Sequence, residues 1–184
     1  MAETQDVLDK KIESLKTRIN DQERVLRQML WFGDYSFASE QLHFDRDGLK
    51  IECRETAPNK PYALLFLYIP INSFSIRVIQ GKASIGFITL NQPIPLDCNI
   101  SVISDQTKVL MYDRTYIGPL DLTKKQRSNF VFNDGVVTTT FNPATNTISF
   151  EQGKVKDDDV FVNVYEEDLY PLIAFKDDTV IQVL

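Results

Sequence analysis

Apolar residues near the start of the chain recur at alternating spacings of four and three. Leu8, Ile12, Leu15, Ile19, Gln22, Leu26 and Met29 mark the stripe, and no glycine before Gly33 or proline before Pro58 interrupts it. This spacing predicts a helix whose one face forms the seam of a coiled coil over three heptads. Ile12, Ile19 and Leu26 occupy the a positions, and Leu8, Leu15, Gln22 and Met29 the d positions. β-Branched residues at a with Leu at d favour a parallel dimer, and Gln22 weakens the seam while helping to set its register. The flanking charges leave orientation open, because a parallel pair sets Arg18 near Glu23 favourably but Lys11 near Lys16 unfavourably. Residues 1–32 are therefore read as a helix that self-associates into a homodimer through Leu8, Ile12, Leu15, Ile19, Leu26 and Met29. The alternative is an amphipathic helix that packs on the chain's own sheet.

Beyond Trp31 the period changes from seven to two. Candidate strands are "LHF", "LKIEC", "YALLFLYI", "FSIRVIQ", "SIGFITL", "NISVIS", "KVLMY", "NFVF", "VFVNVY" and "TVIQVL", together with a hairpin at residues 135–154. Turn-forming clusters such as "TAPNKP", "NQPIPLD" and "FNDG" separate them. Many short strands without a second helical pattern predict a mainly β domain, a sandwich or barrel, over residues 33–184.

The hairpin "GVVTTTFNPATNTISFEQGK" allows its register to be argued. A four-residue loop at Pro143 to Asn146 sets Phe141 against Ile148, Thr139 against Phe150 and Val137 against Gln152. A loop one residue longer separates the apolar partners, so the four-residue loop is expected. One face is then apolar, and the other carries Thr138, Thr140, Ser149 and Glu151, as in an antiparallel sheet half in water.

Composition narrows the class. With 184 residues, 43% hydrophobic and 11% aromatic, the chain can bury a core. The net charge of -6 arises entirely in residues 155–184, which carry two basic and eight acidic side chains. That distribution argues against nucleic acid as a partner. Cys53 and Cys98 sit apart and near no histidine cluster, so they read as free thiols and not as zinc ligands. The opening "MAETQDVLDKK" lacks a signal-peptide core, and no stretch approaches the ~20 apolar residues of a membrane span. A soluble cytoplasmic protein is expected.

The order of four motifs resembles the SPRY family. "LHFDRDGLKIE" is similar to that family's opening hairpin, and "FSIRVIQGKASIGFITL" to its central strand pair. "DGVVTTTFNPATNTISFEQGK" is similar to its Gly-Val hairpin, and "DLYPLIAFKDDTVIQV" to its closing Leu-Tyr-Pro segment and last strand. Two departures stand out: Phe74 where the central strand often has Trp, and Gln152 before Gly153 where Asn is usual. The resemblance implies a bent antiparallel, concanavalin-like β-sandwich that grips a peptide or protein through loops at one end. A coiled coil ahead of such a domain is a layout similar to the tripartite-motif proteins, without RING or B-box cysteines.

Candidate chemistry is sparse. His43, the single histidine, alternates with Leu42 and Phe44 and is expected to face solvent. The runs "DDD", "EED" and "DD" place adjacent carboxylates on opposite faces of any strand, which does not make a catalytic pair. "DRDG", Asp45 to Gly48, lacks the later ligands of an EF-hand loop and reads as a tight turn. No enzyme activity, metal or cofactor is expected. The expected function is a protein-interaction adaptor, with a structural subunit of a larger assembly or a sugar-binding lectin as alternatives.

Two groups are candidates for the partner site. Lys124, Lys125 and Arg127 form the compact basic cluster, suited to an acidic or phosphorylated segment. Tyr112, Arg114 and Tyr116 alternate and share one face if "MYDRTYIG" is extended. Tyr and Arg often dominate binding energy, although both tyrosines also suit a half-buried place on the sandwich.

Overall fold

The computed structural model describes residues 2–32, 36–56, 58, 61–90, 106–111, 113–118, 128, 130, 135–165 and 169–184. One helix, α1 (Ala2–Phe32), precedes the strands, and no helix is long and apolar enough to cross a membrane among the described residues. The strands are β1 (Ser36–Ala38), β2 (Leu42–Phe44), β3 (Lys50–Cys53), β4 (Ala63–Leu67), β5 (Ser73–Gln80), β6 (Ala83–Ile88) and β7 (Thr107–Leu110). They continue with β8 (Tyr116–Ile117), β9 (Val136–Asn142), β10 (Thr147–Gln152), β11 (Val155–Phe161), β12 (Tyr170–Phe175) and β13 (Thr179–Val183).

All strand pairs are antiparallel and form two sheets. A six-stranded sheet runs β1-β4-β12-β6-β7-β8, and a seven-stranded sheet runs β11-β10-β9-β5-β13-β3-β2. The main core lies between them, with Leu65, Ile85, Ile173 and Phe175 from one sheet meeting Ile51, Ile76, Val137 and Ile181 from the other. The six-stranded sheet carries a second buried cluster on its opposite face, including Leu64, Phe66, Val109 and Leu172. Burial on both faces explains why β4 and β12 read as continuous apolar runs without alternation.

The seven-stranded sheet is wet on its outer face. Cross-strand hydroxyl pairs line it there, Ser73 with Thr140 at 2.9 Å and Ser75 with Thr138 at 2.7 Å. The hairpin register is as expected, with Phe141 opposite Ile148 and Thr139 opposite Phe150 across a turn at residues 143–146. The Asp-Gly turn also forms. The Asp45 side chain accepts from the N–H groups of Leu49 and Lys50, both at 3.2 Å, and Gly48 takes φ 66°. His43 is exposed opposite Glu52.

Other expectations need correcting. "VFVNVY" was expected as a strand and "EQGKVKDDD" as a loop, yet β11 spans Val155–Phe161 and pairs Gln152 with Val155. Gly153 at φ 59° lets β10 reverse directly into β11, whose charged residues suit an exposed sheet edge. Phe130 of "NFVF" is buried in the core but lies outside any strand. "NISVIS" and Cys98 lie outside the described residues. β1, β8 and β12 were not among the candidate strands.

The helix stripe does not pack on the chain's own sheet. Leu8, Ile12, Leu15, Ile19, Leu26 and Met29 are 47% to 60% exposed. Contact with the sandwich comes at the end of α1, where Trp31 is 2% exposed and its ring lies 5.6 Å from that of Phe74. Phe74 in turn meets Phe87 edge-on at 5.6 Å. An indole therefore does lie against β5, supplied by the helix.

Candidate functional site

The segment between β7 and β8 is not extended. Arg114 has φ 71°, in the left-handed region, and Asp113 braces the turn by accepting from the N–H and hydroxyl of Thr115 at 3.1 and 2.6 Å. The Arg114 N–H donates to the Met111 carbonyl at 2.8 Å, and the Met111 N–H to the Thr115 carbonyl at 2.7 Å. Arg114 and Tyr116 therefore do not share a face by strand alternation. Arg114 is exposed on the turn. Tyr112 lies outside the described residues.

Tyr116 is only 8% exposed and belongs to the core. Its ring packs 5.4 Å from Phe150 and 6.0 Å from Phe161, and its hydroxyl donates to Asp157 Oδ2 at 2.5 Å. Burial, and next the hydrogen bond to Asp157, hold the phenol well above its usual range. Asp158, the next residue along β11, is exposed and pairs with Lys156 at 2.6 Å. These neighbouring carboxylates serve separate surroundings, as expected of adjacent strand residues.

The basic cluster Lys124, Lys125 and Arg127 lies outside the described residues. Its C-terminal neighbour does not. The Ser128 N–H donates to the Arg114 carbonyl at 2.8 Å, and the Ser128 hydroxyl accepts from the N–H of buried Phe130 at 3.0 Å. Ser128 thus lies directly beside the Arg114 turn. Sequence spacing alone does not show this link, because it depends on a backbone bond between segments fourteen residues apart.

Two shallow concavities open on the outer side of the seven-stranded sheet. One, of about 320 Å³, is lined by His43, Phe44, Asp45, Lys50, Glu52 and Arg54. There the Arg54 guanidinium, 2.9 Å away, keeps the Glu52 carboxyl below its ordinary range. The other, of about 240 Å³, includes Thr140, Asn142, Ser149, Glu151 and Lys156. Both are lined mainly by polar and charged side chains. Among the described residues no group of three His, Cys, Asp or Glu converges as a metal-ligand set. Cys53 is buried, and burial, then Asp177 and Asp178, push its thiol up to about 11. It is a neutral core group at physiological pH, and its Sγ faces the Glu55 carbonyl at 3.8 Å.

The arrangement of the two sheets matches known structures. The SPRY domain of human HERC1 superposes with a TM-score of 0.57 at 9% identity, covering 82% of this chain and 94% of that one. The fold is SPRY-like. The TRIM65 PSpry domain gives a TM-score of 0.57 at 9% identity over 86% of this chain and 97% of its own. The NEUZ (NHR) domain in Neuralized from Drosophila melanogaster gives 0.51 at 14% identity over 80% and 87%. No family model and no curated protein sequence matches the chain. In this SPRY-like sandwich Tyr116, two residues after Arg114, packs with Phe150 and Phe161.

Proposed function

We propose that the chain is a non-catalytic, dimeric protein-interaction module. Its SPRY-like sandwich binds an acidic or phosphorylated protein segment at the Arg114 turn, and its helix doubles the valency. The observation that supports the site is the bond from Ser128, the residue after Arg127 in sequence, to the carbonyl of exposed Arg114. Guanidinium groups bind carboxylates and phosphates in bidentate fashion, and a braced turn lowers the ordering cost of binding. Tyr112, Lys124, Lys125 and Arg127 complete the proposed surface. Tyr116, shortly after the turn, anchors the chain in the core.

Position 114 allows binding and stability to be separated. Arg114→Gly removes the guanidinium while relieving a left-handed residue, so it should melt no lower than the parent. Capture of an acidic or phosphorylated partner should nevertheless weaken at least ~10-fold, equivalent to about 1.4 kcal/mol. Affinity capture with the intact chain as bait, and with this variant beside it, makes the measurement. Undiminished capture by the variant would move the site to another loop.

Self-association rests on the exposed stripe of α1. An apolar seam of this length is poorly stable in water unless covered. Replacing Leu15 and Ile19 with glutamate should turn a dimer into a monomer in sedimentation, while the near-UV signature of the sandwich persists. A parent chain that sediments as a monomer at tens of micromolar would remove this part of the reading.

A further inference from the structure

Two features of α1 have a joint consequence for how the helix pairs. Trp31 follows the d residue Met29 by two positions and so takes heptad position f, on the side of the helix opposite the a/d stripe. Because Trp31 anchors α1 to Phe74 while Leu26 and Met29 stay exposed, the chain's own sandwich sits behind the seam. Leu30, at flank position e, also packs partly on the core, so the domain lies along that side of the helix end while the a/d stripe itself stays exposed.

Gln22 then distinguishes the pairings. In a parallel, in-register pair each seam residue meets its own copy, so Gln22 faces Gln22 and the two amides can hydrogen-bond across the seam. The two antiparallel registers that pair six of the seven stripe residues, a against d, set Gln22 against Ile12 or Ile19 of the second copy. Each leaves a polar amide facing an apolar side chain. The first of these also brings Arg18 to Arg18 and Lys16 to Lys16. The second gains Lys16 against Glu23 but keeps the Gln22 mismatch.

The parallel form has balanced flank charges. It sets Arg18 beside Glu23 of the second copy on both flanks. Its unfavourable contact, Lys11 near Lys16, is moderated because Lys16 already lies 2.7 Å from Glu13 of its own helix.

We propose that α1 binds a second copy of this chain in parallel and in register, an inference that rests on the self-association reading above and specifies its geometry. The two sandwiches then lie on opposite outer sides of the same end of the coil, related by a two-fold axis along it. An antiparallel pair would instead hold them apart by roughly the helix length, about 45 Å. The parallel dimer suits a ligand that carries two copies of its binding segment close together.

Cysteine cross-linking of the full chain tests this. Leu8→Cys, far from the sandwich on an exposed helix position, should form a disulfide-linked dimer under mild oxidation that the unmodified chain does not form. Leu26→Cys should do the same on its own. Equal mixtures of a mass-tagged Leu26→Cys chain with Leu8→Cys, and with Leu15→Cys, should yield only like-with-like links beyond random exchange. Mixed links without like-with-like links would overturn the parallel pairing and leave the dimer intact. A monomeric parent in sedimentation would overturn the self-association on which the proposal rests.

Discussion

Replacing Phe150 with alanine should destabilise the chain by about 3–5 kcal/mol, the range seen when a fully buried phenylalanine is removed. The ring has no solvent exposure and lies at the centre of a three-ring group, 5.4 Å from Tyr116 and 6.3 Å from Phe161. Both neighbours are held elsewhere. The Tyr116 hydroxyl is tied to Asp157, and Phe161 is locked by the pairing of β11 with β10, so neither can swing in to fill the space. The cost is the lost transfer energy of the ring and the cavity that remains. It represents a large part of the ~5–15 kcal/mol that typically separates folded from unfolded domains. Urea unfolding should show a lower midpoint with an unchanged slope. A loss below about 1 kcal/mol would mean that the ring is not a core element.

A second large effect is expected at Gly86, from lack of space alone. A Cβ there would lie 2.1 Å from the Lys108 carbonyl oxygen and 2.7 Å from the Val109 Cα, both backbone atoms. β6 is paired on both sides, with Gly86 opposite Leu172 of β12 and Val109 of β7, so the strand cannot retreat. Gly86→Ala should therefore cost about 3 kcal/mol, at the upper end for an added methylene, and should loosen the pairing of β6 with β7. Gly153→Ala provides the comparison. Its Cβ would meet nothing within 4 Å, leaving only the left-handed penalty of roughly 1–2 kcal/mol at φ 59°. Thermal melts of the two variants should rank Gly86→Ala as the more damaging, and the reverse order would count against the close approach of the two strands.

What could be read from the sequence followed from where water lies. The β9–β10 hairpin was legible because one face is wet, so alternation set Phe141 opposite Ile148. The same holds for the stripe of α1, whose seven-residue period is legible because its residues stay about half exposed. Alternation does not reveal β12, because "YPLIAF" is buried on both sides and begins with a tyrosine-proline pair. Pro171 is tolerated there since pairing with β4 starts one residue later, at Leu172. β11 is hidden for the opposite reason. "VKDDDV" has the charge of a loop, yet it forms an edge strand whose half-buried Asp157 serves Tyr116. At the candidate site, alternation failed because one left-handed residue, Arg114, turns the backbone within the motif.

Trp31 has a practical consequence of another kind. It is the single tryptophan of the chain and lies where the helix enters the core beside Phe74. Indole emission from this protein therefore originates at one place, the joint between the helix and the two sheets, shielded from water while that joint is closed. A red shift reports the joint opening, whereas far-ultraviolet ellipticity reports loss of helix and strands throughout. Where the two signals change together, helix end and sandwich unfold as one cooperative unit. Where emission moves first, the native protein can release its helix while the sheets stay folded, and the chain carries its own optical label for that step.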